Sequence, residues 1–106
     1  MRPYRNLKMG SLIEQELSKM ILEECEIDGA LVTVTNVEVS EDLLQAKVML
    51  SIIPYEKELE AYYAIDEKKK QFERQLLKKM KIRAVPHLKF EIETHARENN
   101  EDTVAA

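Results

Sequence analysis

Cysteine occurs once, at Cys25, so no intrachain disulfide can staple the chain and no thiolate cluster can hold a metal. Cys25 itself reads as a small hydrophobe near a helix end. Tryptophan is absent and phenylalanine occurs twice, which leaves an aliphatic core completed by Phe72, Phe90 and some of the four tyrosines. Glycine also occurs just twice, at Gly10 and Gly29. That excludes a P-loop and a dinucleotide fingerprint, since both need several glycines in one turn. The two histidines, His87 and His95, have no neighbours at metal-ligand spacing and read as surface residues. No cofactor and no metal site are expected. The longest unbroken apolar run is Ala61–Ile65, far short of the ~20 residues of a membrane span, so no membrane partner is expected. The N-terminal MRPYRNLKMGSL is basic but lacks an apolar signal-peptide core, and a cytoplasmic location is the expectation.

What the chain has is charge, unevenly spread. Charged residues make up 34% of the 106 positions, apolar residues 44%, and the formal net charge is −4. Residues 68–83 (KKKQFERQLLKKMKIR) hold eight of the sixteen lysines and arginines against one acid, Glu73. This segment is therefore +7, and the remaining residues must sum to −11 to reach −4. An acidic chain with one concentrated basic segment is polarised toward a polyanion. The length suits one domain, taken as residues 1–95, followed by a polar tail, 96–106, whose composition predicts disorder.

Helical spacing of Leu7, Met9, Leu12, Ile13, Leu17, Met20 and Ile21 predicts a first helix over 7–24. Asp28-Gly29 then supplies a turn. In LVTVTNVEVS the valines fall on even positions, 32 and 34, then on odd ones, 37 and 39. That change of phase predicts a bulge near Thr35-Asn36. The next strand places Leu44, Ala46, Val48, Leu50 and Ile52 on one face, with Gln45, Lys47, Met49 and Ser51 on the other.

Residues 56–80 are helical by composition, but one straight helix of that length would extend about 37 Å, too long for a small domain. The polar stretch Asp66–Gln71 predicts a kink, with helices over 56–65 and 67–80 and Asp66 capping the second. Phe72, Leu76 and Met80 form its buried stripe. Lys70, Arg74, Lys78 and Lys81 fall within roughly 80° on the opposite side. Arg83 lies near the buried stripe by helical phase. Pro86 opens a last strand in which Leu88, Phe90 and Ile92 alternate with polar residues. The order is helix, strand, strand, helix, kink, helix, strand. It predicts an α+β domain with a three-stranded sheet covered by helices on one face, the third strand parallel to the second if the two are neighbours.

Nothing reads as catalytic. Acidic clusters such as Glu23-Glu24-Cys25-Glu26 and Glu41-Asp42 read as solvated rims, because nothing near them in sequence would desolvate one carboxylate. The basic helix has two readings: a solvated face, or a surface that gains by releasing counterions from phosphates. The scarcity of acids beside the lysines and the depletion of cations elsewhere favour the second. No aromatics are interleaved with the lysines, which points to shape and backbone recognition of structured RNA rather than base stacking. A rival reading is a protein-interaction or homodimerising module that pairs through a sheet edge or the Met49/Ile53 side of the second strand. A hydrolase or nuclease is a remote third, without a visible ligand set.

Two strings carry a family resemblance. VTVTNVEVSEDLLQAKVMLS, residues 32–51, resembles the strand pair of the ribosome-binding factor A family. KKMKIRAVPHLKFEIE, residues 78–93, is similar to that family's helix end and last strand. Val34, Val37, Val39, Ser40, Asp42, Leu43, Ala46 and Val48, then Leu76, Arg83, Pro86, Leu88 and Phe90, carry the match. The resemblance implies a type II KH-like fold without the usual GxxG loop. It also implies a non-enzymatic partner of the immature small ribosomal subunit and its rRNA, acting in late maturation and cold adaptation, with no small-molecule substrate and monomeric when free. On this basis Lys68, Lys69, Lys70, Arg74, Lys78 and Lys81 are expected to meet rRNA phosphates, with Arg5, Lys8 and Arg2 as weaker candidates. The family's Ala-x-Gly kink falls on Lys68 and Lys70, so this chain replaces the kink signature with a lysine triplet. Its end, ENNEDTVAA, also departs from the family's apolar C-terminal segment.

Overall fold

The double phase of the valines between residues 31 and 39 is realised as a nine-residue strand, β1 (Leu31–Val39), with a bulge. A computed structural model describes residues 3–93, Glu26 excepted, with side chains from Arg5 onward. Arg2, His95 and the expected tail 96–106 lie outside the described residues. β1 pairs antiparallel with β2 (Gln45–Ile53), and the register shifts between Val34, opposite Leu50, and Asn36, opposite Met49. Thr35 is the extra residue. Its hydroxyl lies within donating reach of the Met49 carbonyl and the Glu93 carboxylate, sharing its one proton between them. The shift lets Val34, Val37 and Val39 all turn inward.

β3 (His87–Ile92) runs parallel to β2, from Gln45 opposite His87 to Leu50 opposite Ile92. The sheet order is β1-β2-β3. Its inner face is Val34, Val37, Val39, Ala46, Val48, Leu50, Ile52, Leu88 and Phe90, all buried. Its outer face carries the exposed Glu38, Lys47, His87 and Lys89. A parallel neighbour needs a crossover, and the helices between β2 and β3 supply it on the inner face.

One position breaks the expected alternation. Leu44, expected on the inner face, is 61% exposed. The cause is the turn before β2. There the Leu43 N–H donates to the Ser40 carbonyl, and the Leu44 N–H donates to the Asp42 carboxylate. Leu43 adopts a left-handed backbone (φ 65°), and its side chain, not that of Leu44, packs on the core.

The first helix, α1 (Pro3–Glu24), starts four residues before the apolar pattern does. Gly10, Ile13, Leu17, Met20 and Ile21 line its buried side, whereas Leu7 and Leu12 are exposed. Gly10 is where α1 and β1 touch: a Cβ there would stand 2.8 Å from the Val37 carbonyl oxygen. The Asn6 side-chain amide donates to the Val39 carbonyl one turn earlier, 3.1 Å away. The predicted Asp28-Gly29 turn forms, with Gly29 at φ 75°.

A short 3-10 turn (Tyr55–Lys57) leads into α2 (Glu58–Glu67), and α3 (Lys69–Met80) follows. The break falls at Lys68 (φ −94°, ψ 10°), two residues later than the predicted cap. Asp66 does not cap α3. It stays in the last turn of α2, and its carboxylate lies 3.4 Å from the Lys69 ammonium. A tightened bond from the Lys68 N–H to the Ile65 carbonyl ends α2, and Lys68 accepts the first bond of α3 from the Phe72 N–H. On an unbroken helix Lys68 would fall in phase with Ala61, Ile65, Phe72 and Leu76, all at 0% exposure. Interrupting the helix there leaves the lysine half-buried and keeps its ammonium out of the core. Phe72 then meets Phe90 edge to face, ring centres 6.4 Å apart.

Candidate nucleic-acid interface

The buried stripe of α3 fixes which residues it shows to solvent. With Phe72 and Leu76 fully inside, Lys70, Arg74 and Lys78 are exposed on the outer side. Among the described residues none of the three forms an ion pair. Lys81 ends the helix in a left-handed conformation (φ 54°, ψ 46°) and is also exposed. From Lys70 to Lys81 the cations extend about 16 Å at the rise of an α-helix. Basic residues at the C-terminal end also complement the helix dipole.

Glu73, the single acid of this segment, lies at the edge of the ridge with its carboxylate engaged. Its carboxylate accepts the Leu88 N–H at 2.9 Å and so ties α3 to the start of β3. Across from it, the amides of Gln71 and Gln75 donate to the two oxygens of Glu24, at 2.8 and 3.0 Å. α3 therefore lies against α1 through Gln71 and Gln75, with Lys70 and Arg74 outward and Lys78 at the rim of a groove shared with Lys19, Glu23 and Glu24 of α1.

The lysine triplet does not act as a unit. Lys68 sits at the interhelical break, close enough for its charge to bear on Cys25. Burial pushes the Cys25 thiol up, Lys68 works against that, and Glu24 adds to it. Lys69 turns back to Asp66. Only Lys70 joins the ridge. Arg83, expected near the buried stripe, is exposed beyond the end of α3, because the helix stops at Met80 and the helical phase no longer applies.

α1 brings further cations to the C-terminal end of α3. Arg5 and Lys8 are exposed on its first turns and line a cavity of about 430 Å³ with Lys79. Met9, Leu12, Leu43, Met80 and Ile82 supply the apolar lining. Lys79, which the sequence reading leaves out, stands 3.6 Å from Glu16 in the same cavity. The long separation between residues 5–16 and 79–82 hides this meeting in the sequence; the +7 run flags Lys79 as a cation but not its position. A second, shallower groove of about 250 Å³ runs along the other flank of α3, between Lys70, Glu73, Arg74 and Leu77 on one side and Ala84 and Val85 on the other.

The outer face of the sheet is different in character. Lys47 pairs with Glu38 at 3.7 Å and Lys89 with Glu91 at 3.7 Å, so positive charge there is matched by negative. Among the described residues no group of three or more histidine, cysteine, aspartate or glutamate side chains could hold a metal ion. No described helix is long and apolar enough to cross a membrane.

Comparison with known proteins bears on this geometry. The family model for ribosome-binding factor A matches residues 5–103. Ribosome-binding factor A of Coprothermobacter proteolyticus is 30% identical over 94 residues, covering 88% of this chain and 69% of that protein. The protein of the same name from Caldanaerobacter subterraneus subsp. tengcongensis is 32% identical over 93 residues, covering 85% and 76%. In fold, the chain is similar to the crystal structure of ribosome-binding factor A from Thermus thermophilus, with a TM-score of 0.69 at 20% identity, over 82% of this chain and 93% of that one.

Proposed function

This chain belongs to the ribosome-binding factor A family, and from that premise we propose that it is a non-enzymatic assembly factor for the small ribosomal subunit. It binds the immature subunit through its rRNA and promotes late maturation. The observation that carries the reading is the outer side of α3: Lys70, Arg74, Lys78 and Lys81 exposed together, with Glu73 withdrawn into a bond with β3. Clustered cations that are not already paired gain most from phosphates, because no intramolecular partner has to be given up. Arg5 and Lys8 extend the same positive surface, while Lys68 and Lys69 contribute less directly. On this reading residues 1–95 form one domain with 96–106 as a tail, and the protein works as a cytoplasmic monomer without cofactor, membrane or small-molecule substrate.

Sedimentation with purified mature and immature small subunits across a salt series tests this. Binding to immature subunits at low salt, weakening steeply as salt rises, is expected. No association with either form at low salt would overturn it. A protein-pairing role has one observation behind it: Leu31 and Ile53 face each other across β1 and β2 and are 58% and 60% exposed. Concentration-dependent dimerisation without RNA affinity would favour that role.

A further inference from the structure

The cavity between the start of α1 and the end of α3 has the make-up of a nucleotide site. One of its cations, Lys79, comes from the same helix as the ridge. Its volume, about 430 Å³, lies within the range of roughly 300–1,000 Å³ typical of small-ligand sites. Thioether and aliphatic side chains form its floor: Met9 and Leu12 from α1, Leu43 from the turn before β2, Met80 and Ile82 from the end of α3. Arg5, Lys8 and Lys79 stand around it. An apolar floor ringed by cations matches a flat base joined to a phosphate better than it matches either part alone.

Two further features bear on the occupant. Leu43 reaches the cavity only because its backbone is held at φ 65°, a region that costs a leucine energy. The turn around it is over-determined: the Ser40 hydroxyl donates to Asp42 and accepts from the Gln45 N–H. On the opposite wall, Glu16 Oε1 is shielded from solvent and accepts no hydrogen bond. It lies 3.6 Å from the Lys79 ammonium, an ion-pair distance but beyond hydrogen-bond range. A carboxylate can only accept, so at this wall it suits the exocyclic amine of adenine, which offers two N–H donors, better than uracil, whose single ring N3–H is its one donor.

We propose that this cavity receives one nucleotide extruded from structured RNA, its base on the Met9–Leu12–Leu43 floor, its phosphate against Arg5 and Lys8, and its exocyclic amine on Glu16. The proposal rests on the RNA-binding reading above and adds a local, base-dependent contact to it. Such a site is compatible with the lack of interleaved aromatics, because aliphatic side chains and an arginine plane can sandwich a base.

The test uses the full chain and three RNA hairpins that differ at one position: fully paired, with one bulged adenosine, and with one bulged uridine. The adenosine bulge should bind about tenfold more tightly than the paired hairpin, the range expected of one seated base, and the uridine bulge, with one donor in place of two, should gain less. The double variant Leu12→Ser, Ile82→Ser changes two floor residues outside the fully buried core, and it should lose the adenosine preference while binding the paired hairpin as before. Equal affinity of the unaltered chain for adenosine-bulged and paired hairpins would overturn the pocket, and a retained salt dependence would leave the ridge standing. Retention of the preference by a folded double variant would also overturn it. Equal gains for adenosine and uridine would remove Glu16 from the proposal. Failure to bind any hairpin at low salt would instead count against the RNA-binding reading itself.

Discussion

Lys81 occupies a backbone position that glycine ordinarily takes. It closes α3 at φ 54°, where a side chain is strained and where helices commonly place glycine. A strained lysine at the end of a basic ridge gives up stability for charge. Lys81→Gly should therefore raise unfolding stability by up to about 1 kcal/mol while weakening RNA binding, a pairing that denaturant melts and a binding titration would reveal together. Asp42 is a second informative residue. The Ser40 hydroxyl and the Leu44 N–H hold its carboxyl below the ordinary aspartate range. A depressed carboxylate stabilises the fold above its unfolded pKa, and the benefit disappears as pH falls through the folded value. The destabilisation caused by Asp42→Ala should thus be present at neutral pH and shrink below about pH 4, as read from unfolding curves at a series of pH values. The sequence marks Ser40 and Asp42 as a connection, but not the exchange of Leu43 for Leu44 on the inner face. That exchange follows from one positive φ, which alternation cannot register.

At the scale of elements, period-two and helical patterns are enough to locate every strand and the helical pair, including the bulge after Val34. The start of α3 falls two residues beyond the position they suggest, because Asp66 has the chemistry of a cap without acting as one. Lys68, in phase with the buried stripe, is instead the residue the helix cannot continue through. Two sets of hydrogen bonds, from Glu73 to β3 and from Gln71 and Gln75 to α1, hold α3 so that its ridge faces outward. Glu73→Ala removes the acceptor of the Leu88 N–H and should cost about 1–3 kcal/mol. Glu73→Gln, which keeps an acceptor, should recover most of that in the same denaturant titration. Gly10 fixes how closely α1 approaches β1. Alanine ordinarily improves a helix interior by about 1 kcal/mol over glycine. Here its Cβ would meet the Val37 carbonyl oxygen at 2.8 Å, and backbone cannot step aside cheaply. Gly10→Ala should therefore destabilise, by about 1–3 kcal/mol, shown by a lower melting temperature.

For the molecule as a whole, charge placement carries the functional argument. The net charge of −4 alone would argue against a polyanionic partner. The fold engages acids beside α3 in bonds of their own, Glu24 with Gln71 and Gln75 and Glu73 with β3, pairs the cations of the sheet face with Glu38 and Glu91, and leaves Lys70, Arg74 and Lys78 exposed. The ridge is readable from the +7 segment and helical phase. The cavity is not, since its walls come from residues 5–16, 43 and 79–82, which only the antiparallel packing of α1 on α3 brings together. The central claim is that the ridge meets rRNA phosphates, and the salt dependence of binding to immature small subunits tests it most directly. The triple variant Lys70→Glu, Arg74→Glu, Lys78→Glu should fold with nearly unchanged stability, since all three side chains are exposed. It should flatten the slope of log K against log salt by about two to three, near one for each phosphate it no longer neutralises. A slope identical to that of the unaltered chain would contradict the account.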